Sequence, residues 1–86
     1  VPAGISNMTF DAAGELWVTT LDSAQPLFRV TVGNGAVVAV PQTHGALNAI
    51  ASEPTTGGFA LATGSGGSPR RSLFWADANG LATLLS

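Results

Sequence analysis

Ile5-Ser6-Asn7-Met8-Thr9-Phe10-Asp11, running through Ala12-Ala13-Gly14 into Leu16-Trp17-Val18-Thr19-Thr20, decides the architecture because the pattern returns later in the chain. Leu47-Asn48-Ala49-Ile50-Ala51-Ser52-Glu53 repeats the first segment. Glu53-Pro54-Thr55-Thr56-Gly57-Gly58 repeats its acidic, glycine-terminated turn, and Phe59-Ala60-Leu61-Ala62-Thr63 repeats the second segment. Working outward, a polar loop follows each copy. Leu27-Phe28-Arg29-Val30-Thr31-Val32 then aligns with Leu73-Phe74-Trp75-Ala76-Asp77-Ala78. Each half turns through Asn-Gly, at Asn34-Gly35 and Asn79-Gly80, and ends in an apolar run, Ala36 to Val40 and Leu81 to Leu85. The offset grows from 42 residues between Ile5 and Leu47 to 46 between Leu27 and Leu73. A fixed order of features at a nearly fixed offset is the mark of a structural repeat.

The local chemistry is that of strands. The apolar segments are four to six residues long, rich in Val, Leu, Thr, Phe and Trp, and punctuated by 11 glycines and 5 prolines. No stretch carries a helical period. Asn79-Gly80, between Ala78 and Leu81, reads as a two-residue type I′ hairpin with positive φ at both positions. Gly33-Asn34-Gly35 reads as a slightly longer version, and the turn before Leu16-Trp17-Val18 as a tight one. Four short strands per repeat at roughly 40–45 residues is the arithmetic of a β-propeller blade. The expected fold is therefore all-β: two four-stranded antiparallel blades, residues 1–43 and residues 44–86. The expected core is Leu16, Trp17, Val18, Phe28, Val30, Ile50, Leu61 and Phe74.

The blade pattern resembles that of NHL-type and gluconolactonase-like six-bladed propellers. The resemblance rests on the Asp-x-x-Gly turn leading into Leu16-Trp17-Val18 and on the outer hairpin from Leu27 to Val40, and it covers nearly the whole chain, twice. Two blades do not close a ring of the usual about four to eight, and each blade has apolar residues on both faces. The expectation is thus a homo-oligomer, with three copies giving the six blades that the resemblance implies, or else the remainder of a longer propeller. The chain is also expected to be cut at a blade boundary. Such propellers include lactonases that hold a divalent cation in the channel with Glu and Asn or Asp. Here only Asn7, Asn48 and Ser6 are placed near a channel and no acidic residue joins them. A fragment of a metal-dependent lactonase or hydrolase is accordingly the alternative, and a scaffold or binding module the leading reading.

Composition bounds the partners. Charged residues make up 9% of the chain against a usual about 25%, and the net charge is −2. That leaves no basic footprint for nucleic acid. The longest apolar run, Ala36 to Val40, is far short of the ~20 residues of a membrane-spanning helix. Cysteine is absent, so neither disulfides nor thiolate metal sites arise, and no cofactor motif is present. The neutral, Gly/Ser/Thr/Ala-rich composition leans towards a secreted or periplasmic setting, with a cytoplasmic one left open.

Chain direction places the loops after the second and fourth strands on one face: Leu21 to Pro26, Pro41 to Ala46 and Gly64 to Ser72, joined by Val1 to Gly4. Longer loops on a rigid scaffold are where binding groups usually stand. Asp22, Gln25 and Gln42 lie there, but the expected ligand-binding residues are His44, Thr43, Arg70 and Arg71, with Asn7 and Asn48 at the channel mouth. Arg70-Arg71 can clamp a carboxylate or phosphate. His44 is the single histidine and is read first as a surface loop residue; three-fold symmetry would gather three imidazoles about one axis, a set that can hold zinc, which is the lesser reading. Catalytic residues are not assigned, since no nucleophile elbow occurs. The favoured ligand is a glycan or a small neutral or anionic metabolite. Asp11 and Glu53 are read as turn residues, Trp17 as core, and Trp75 as an indole available between blades.

Overall fold

The computed structural model describes residues 4–86. It contains two four-stranded antiparallel sheets and, among the described residues, no helix. The first sheet is built in chain order from β1 (Ile5–Phe10), β2 (Leu16–Thr20), β3 (Leu27–Thr31) and β4 (Ala36–Ala39). The second follows with β5 (Gly45–Glu53), β6 (Gly58–Gly67), β7 (Leu73–Ala76) and β8 (Ala82–Leu84). Every expected strand is present. β6 is longer than its sequence signal because Gly67 pairs with Gly45 beyond two register shifts near Leu47. The expected contribution of residues 1–3 to the long-loop face falls outside the described residues.

The sequence alignment of the halves is also a spatial one. In the first sheet Thr9 pairs with Trp17, and Trp17 with Arg29. In the second, Ala51 pairs with Ala60, and Ala60 with Trp75. On the other side of the sheets, Phe10, Leu16, Val30 and Val37 form one cross-strand row, and Ser52, Phe59 and Ala76 form its counterpart. Because side chains alternate between faces, each sheet has a front face containing the Trp17 or Ala60 position. Its back face contains the Leu16 or Phe59 position.

The front of the first sheet packs on the back of the second. Trp17, 1% exposed, meets Phe59 with ring centroids 4.6 Å apart. Leu27, Leu47, Ile50, Leu61, Phe74 and Ala76 complete the shared core. Near the inner strands the contact turns polar. The Ser6 hydroxyl donates to the Leu47 carbonyl at 2.7 Å, the Asn7 amide approaches the Ile50 carbonyl at 3.4 Å, and the Thr9 and Ser52 hydroxyls lie 3.4 Å apart. Six of the eight expected core residues are buried. Leu16 and Val30, at the tight-turn end of the back of the first sheet, are only half-buried, whereas Val18 and Phe28 on the same face are buried.

The turns bring one correction. Gly80 has φ +86°, but Asn79 is not in the left-handed region, so the hairpin is not type I′. The Asp77 side chain accepts from the amides of Asn79 and Leu81 at 2.9 and 3.1 Å, and the Asp77 carbonyl accepts from the Gly80 amide at 2.9 Å. This is a three-residue loop, a tight turn closed by a left-handed glycine, with Asp acting as an acceptor for its own turn. Asp77 therefore belongs to the turn rather than to a strand. Its structural twin is Asp11, which binds Ala13 and Glu15 in the same way, with Gly14 at φ +83°.

Candidate functional site

The long-loop face is organised from within by two buried threonines at equivalent positions. At the end of β2, the Thr20 hydroxyl donates to the Gln25 carbonyl at 3.0 Å and accepts from the Asp22 amide at 3.2 Å. Within β6, the Thr63 hydroxyl donates to the Pro69 carbonyl at 2.7 Å and accepts from the Ser72 amide at 2.9 Å. A buried hydroxyl that binds two backbone groups fixes the loop around it. The loop carrying Arg70 and Arg71 is thus fastened to its own strand. The Arg71 amide adds a bond to the Gly64 carbonyl at 3.0 Å, and Arg71 itself holds φ +53°.

His44 joins this loop. Its ring lies on Phe74 with centroids 4.2 Å apart, its Nδ1 is 3.3 Å from the Ser68 carbonyl, and its own carbonyl accepts from the Ser68 amide at 2.8 Å. Asn48 lies against Gly64, where an added β-carbon would collide with the Asn48 side-chain amide. At the far end of β6, Asn48 and the Arg71 amide both lie at Gly64, and His44 is bound to Ser68 in the loop that follows. Thr43, next to His44, is exposed, as are Arg70 and Arg71. Neither arginine side chain has an ion-pair or hydrogen-bond partner among the described residues. Asn7 is not part of this group. Its amide serves the contact between the sheets, and its side-chain oxygen accepts from the Met8 amide at 2.8 Å.

Two clefts lie elsewhere. The larger, about 400 Å³, is on the tight-turn face, bordered by Asp11, Glu15, Arg29, Gly57 and Ala78. Arg29 pairs there with Glu15 at 3.3 Å and lies 5.9 Å from the centre of the Trp17 ring. The Asp11 carboxylate accepts the Trp17 indole N–H at 2.8 Å. Burial by itself pushes the Asp11 carboxyl up. The indole, the Glu15 and Ala13 amides and the Arg29 charge outweigh it and leave the group below its ordinary value. In the equivalent turn of the second sheet, Glu53 is held low by the Thr56 and Thr55 amides and the Thr56 hydroxyl. Both acids thus serve their own turns. The sequence signal for this cleft is Glu15, just before β2, and Arg29 on the neighbouring strand β3, on a face otherwise read as tight turns only.

The second cleft, about 260 Å³, is a shallow groove along the front of the second sheet, floored by Ala49, Ala51, Ala60 and Ala62 and bordered by Leu73 and Asn7. Asn7 alone of the expected ligand-binding residues borders either cleft. No cluster of three or more metal-ligating His, Asp or Glu side chains occurs among the described residues. No protein-family model matches the chain, and neither curated proteins nor solved structures give a match.

Proposed function

We propose that the chain is a pair of β-propeller blades that works as a self-assembling scaffold, three copies forming one six-bladed ring, with a small-ligand site on the long-loop face. The observation that carries this reading is the head-to-tail packing of the two sheets. Front meets back, so the chain leaves open one back face and one front face, the same two kinds of surface it has already joined internally. On the open back, Met8, Phe10 and Val37 are 50%, 57% and 45% exposed. Contiguous apolar surface of this kind marks an interaction site, and a head-to-tail contact repeated with rotation closes a ring.

The ligand end rests on Arg70 and Arg71, two guanidinium groups with no partner among the described residues, on a loop that Thr63 holds in place. Fixed donors lose less freedom on binding than mobile ones. Carboxylates, and glycans bearing them, suit such a pair. A panel of neutral and acidic glycans and small carboxylates tests this end by calorimetry. Binding that disappears in Arg70→Ala/Arg71→Ala at unchanged solution mass supports it. Binding unaffected by the double substitution contradicts it.

A further inference from the structure

The two open faces are not copies of the two that pack inside the chain; they differ in shape in a compensating way. Inside, the inner-strand contact is small against small, Thr9 opposite Ser52, and the next is large against large, Trp17 on Phe59. The open back exchanges the members of its cross-strand pair. Ser52 and Phe59 of the second sheet correspond to Phe10 and Leu16 of the first, so the aromatic ring moves inward by one strand. The open front makes the opposite exchange. Trp17 and Arg29 correspond to Ala60 and Trp75, so the indole moves outward by one strand and vacates the space over β5 and β6. That vacated space is the alanine-floored groove. Trp75 lies over Gly58, where a β-carbon would be 2.6 Å from its ring, which keeps the indole off the groove.

We infer that Phe10 of one copy of this chain seats in the groove over Ala51 and Ala60 of a second copy, with Trp75 of the second copy covering Val30 of the first. This rests on the assembly proposed above and adds the contact that specifies it. Repeating the internal packing places Phe10 opposite Ala51, as Ser52 stands opposite Thr9. A large side chain then meets a small one at each step: Phe10 on Ala51, Leu16 on Ala60, Trp75 on Val30. Shape matching of this kind selects one partner surface over others. Exposed aromatic anchors entering a preformed recess are where binding energy concentrates.

Cysteine cross-linking tests the inference, helped by the absence of natural cysteine. Phe10 and Ala51 lie on opposite outer faces of the chain, so a disulfide between them forms only between copies. Chains carrying Phe10→Cys and Ala51→Cys together should oxidise to covalent oligomers. Mixing the two single variants should give a heterodimer, and Phe10→Cys with Thr83→Cys should give neither. In parallel, Phe10→Ala, and separately Ala51→Phe, should raise the dissociation constant by about tenfold or more, each keeping the wild-type β-sheet circular dichroism. Phe10→Ala combined with Ala51→Phe should recover much of the affinity. A wild-type chain that is monomeric overturns the assembly itself. A wild-type oligomer that neither cross-links at these positions nor weakens with Phe10→Ala overturns the seating of Phe10 and leaves the assembly standing.

Discussion

Replacing Asp11 with Ala should destabilise the fold by about 2–5 kcal/mol, a large loss for one turn residue. The carboxylate accepts three hydrogen bonds, from the Ala13 and Glu15 amides at 2.9 Å each and from the Trp17 indole at 2.8 Å. The indole is the decisive one. Trp17 is buried, and a buried donor without an acceptor costs about 1–3 kcal/mol. The two turn amides reach water once the carboxylate is gone, and each adds roughly 0.5–1 kcal/mol. Urea denaturation at fixed protein concentration reads the total, since binding between copies would otherwise add to it. A double-mutant cycle with Trp17→Phe isolates the indole bond: Asp11→Ala should cost about 1–2 kcal/mol less in the Trp17→Phe background. The same carboxylate predicts an acid limb. Its folded value lies below the ordinary 3.8, so its contribution is complete above that value and drains away as pH falls through the folded value. Asp11→Asn should flatten this limb. An Asp11→Ala loss under about 0.5 kcal/mol, or a strictly additive cycle, would refute the reasoning.

Trp17→Ala should cost about 3–5 kcal/mol in the same assay, the usual range for emptying a buried aromatic site; a loss under about 1 kcal/mol would mean that the sheets are not held together at Trp17. Gly80→Val should strongly lower the melting temperature, since position 80 has φ +86° and an added β-carbon would meet Val40 at 2.7 Å and Trp17 at 3.1 Å. Asn79→Ala should change stability by no more than about 0.5 kcal/mol, because Asn79 needs no left-handed backbone and Asp77 supplies the turn's acceptor; a large loss would restore the type I′ assignment. Thr63→Val should loosen the arginine loop, seen as faster amide exchange at Ser72, whereas unchanged protection there would show that the loop is held by other bonds.

The strands are legible in the sequence because their signals are local: short β-rich runs, separated by glycine and by Asp or Asn. What local signals do not carry is which partner covers a face. Leu16 and Val30 have the residue types of a core and are only half-buried, whereas Leu27 and Phe59 are core because they stand on the two faces that pack together. The hairpin at Gly80 departs from its sequence reading for a related reason. Asn-Gly is a strong signal, but Asp77 two residues earlier offers its carboxylate to the same amides and selects the longer loop. Around the candidate ligand site, the placement of Asn48 and the Arg71 amide at Gly64 depends on the extension of β6 past Thr63. Its run of glycines and serines carries no strand propensity. Asn7 matches Asn48 in residue type but faces the neighbouring sheet.

The reciprocity of the two open faces is tested most directly by sedimentation velocity on the wild-type chain across the micromolar range. The account predicts one closed species of about 26 kDa, three times the 8.6 kDa chain, unchanged as concentration rises. A folded monomer at every concentration would contradict it, as would a series of ever larger species, since faces that join without closing build a filament.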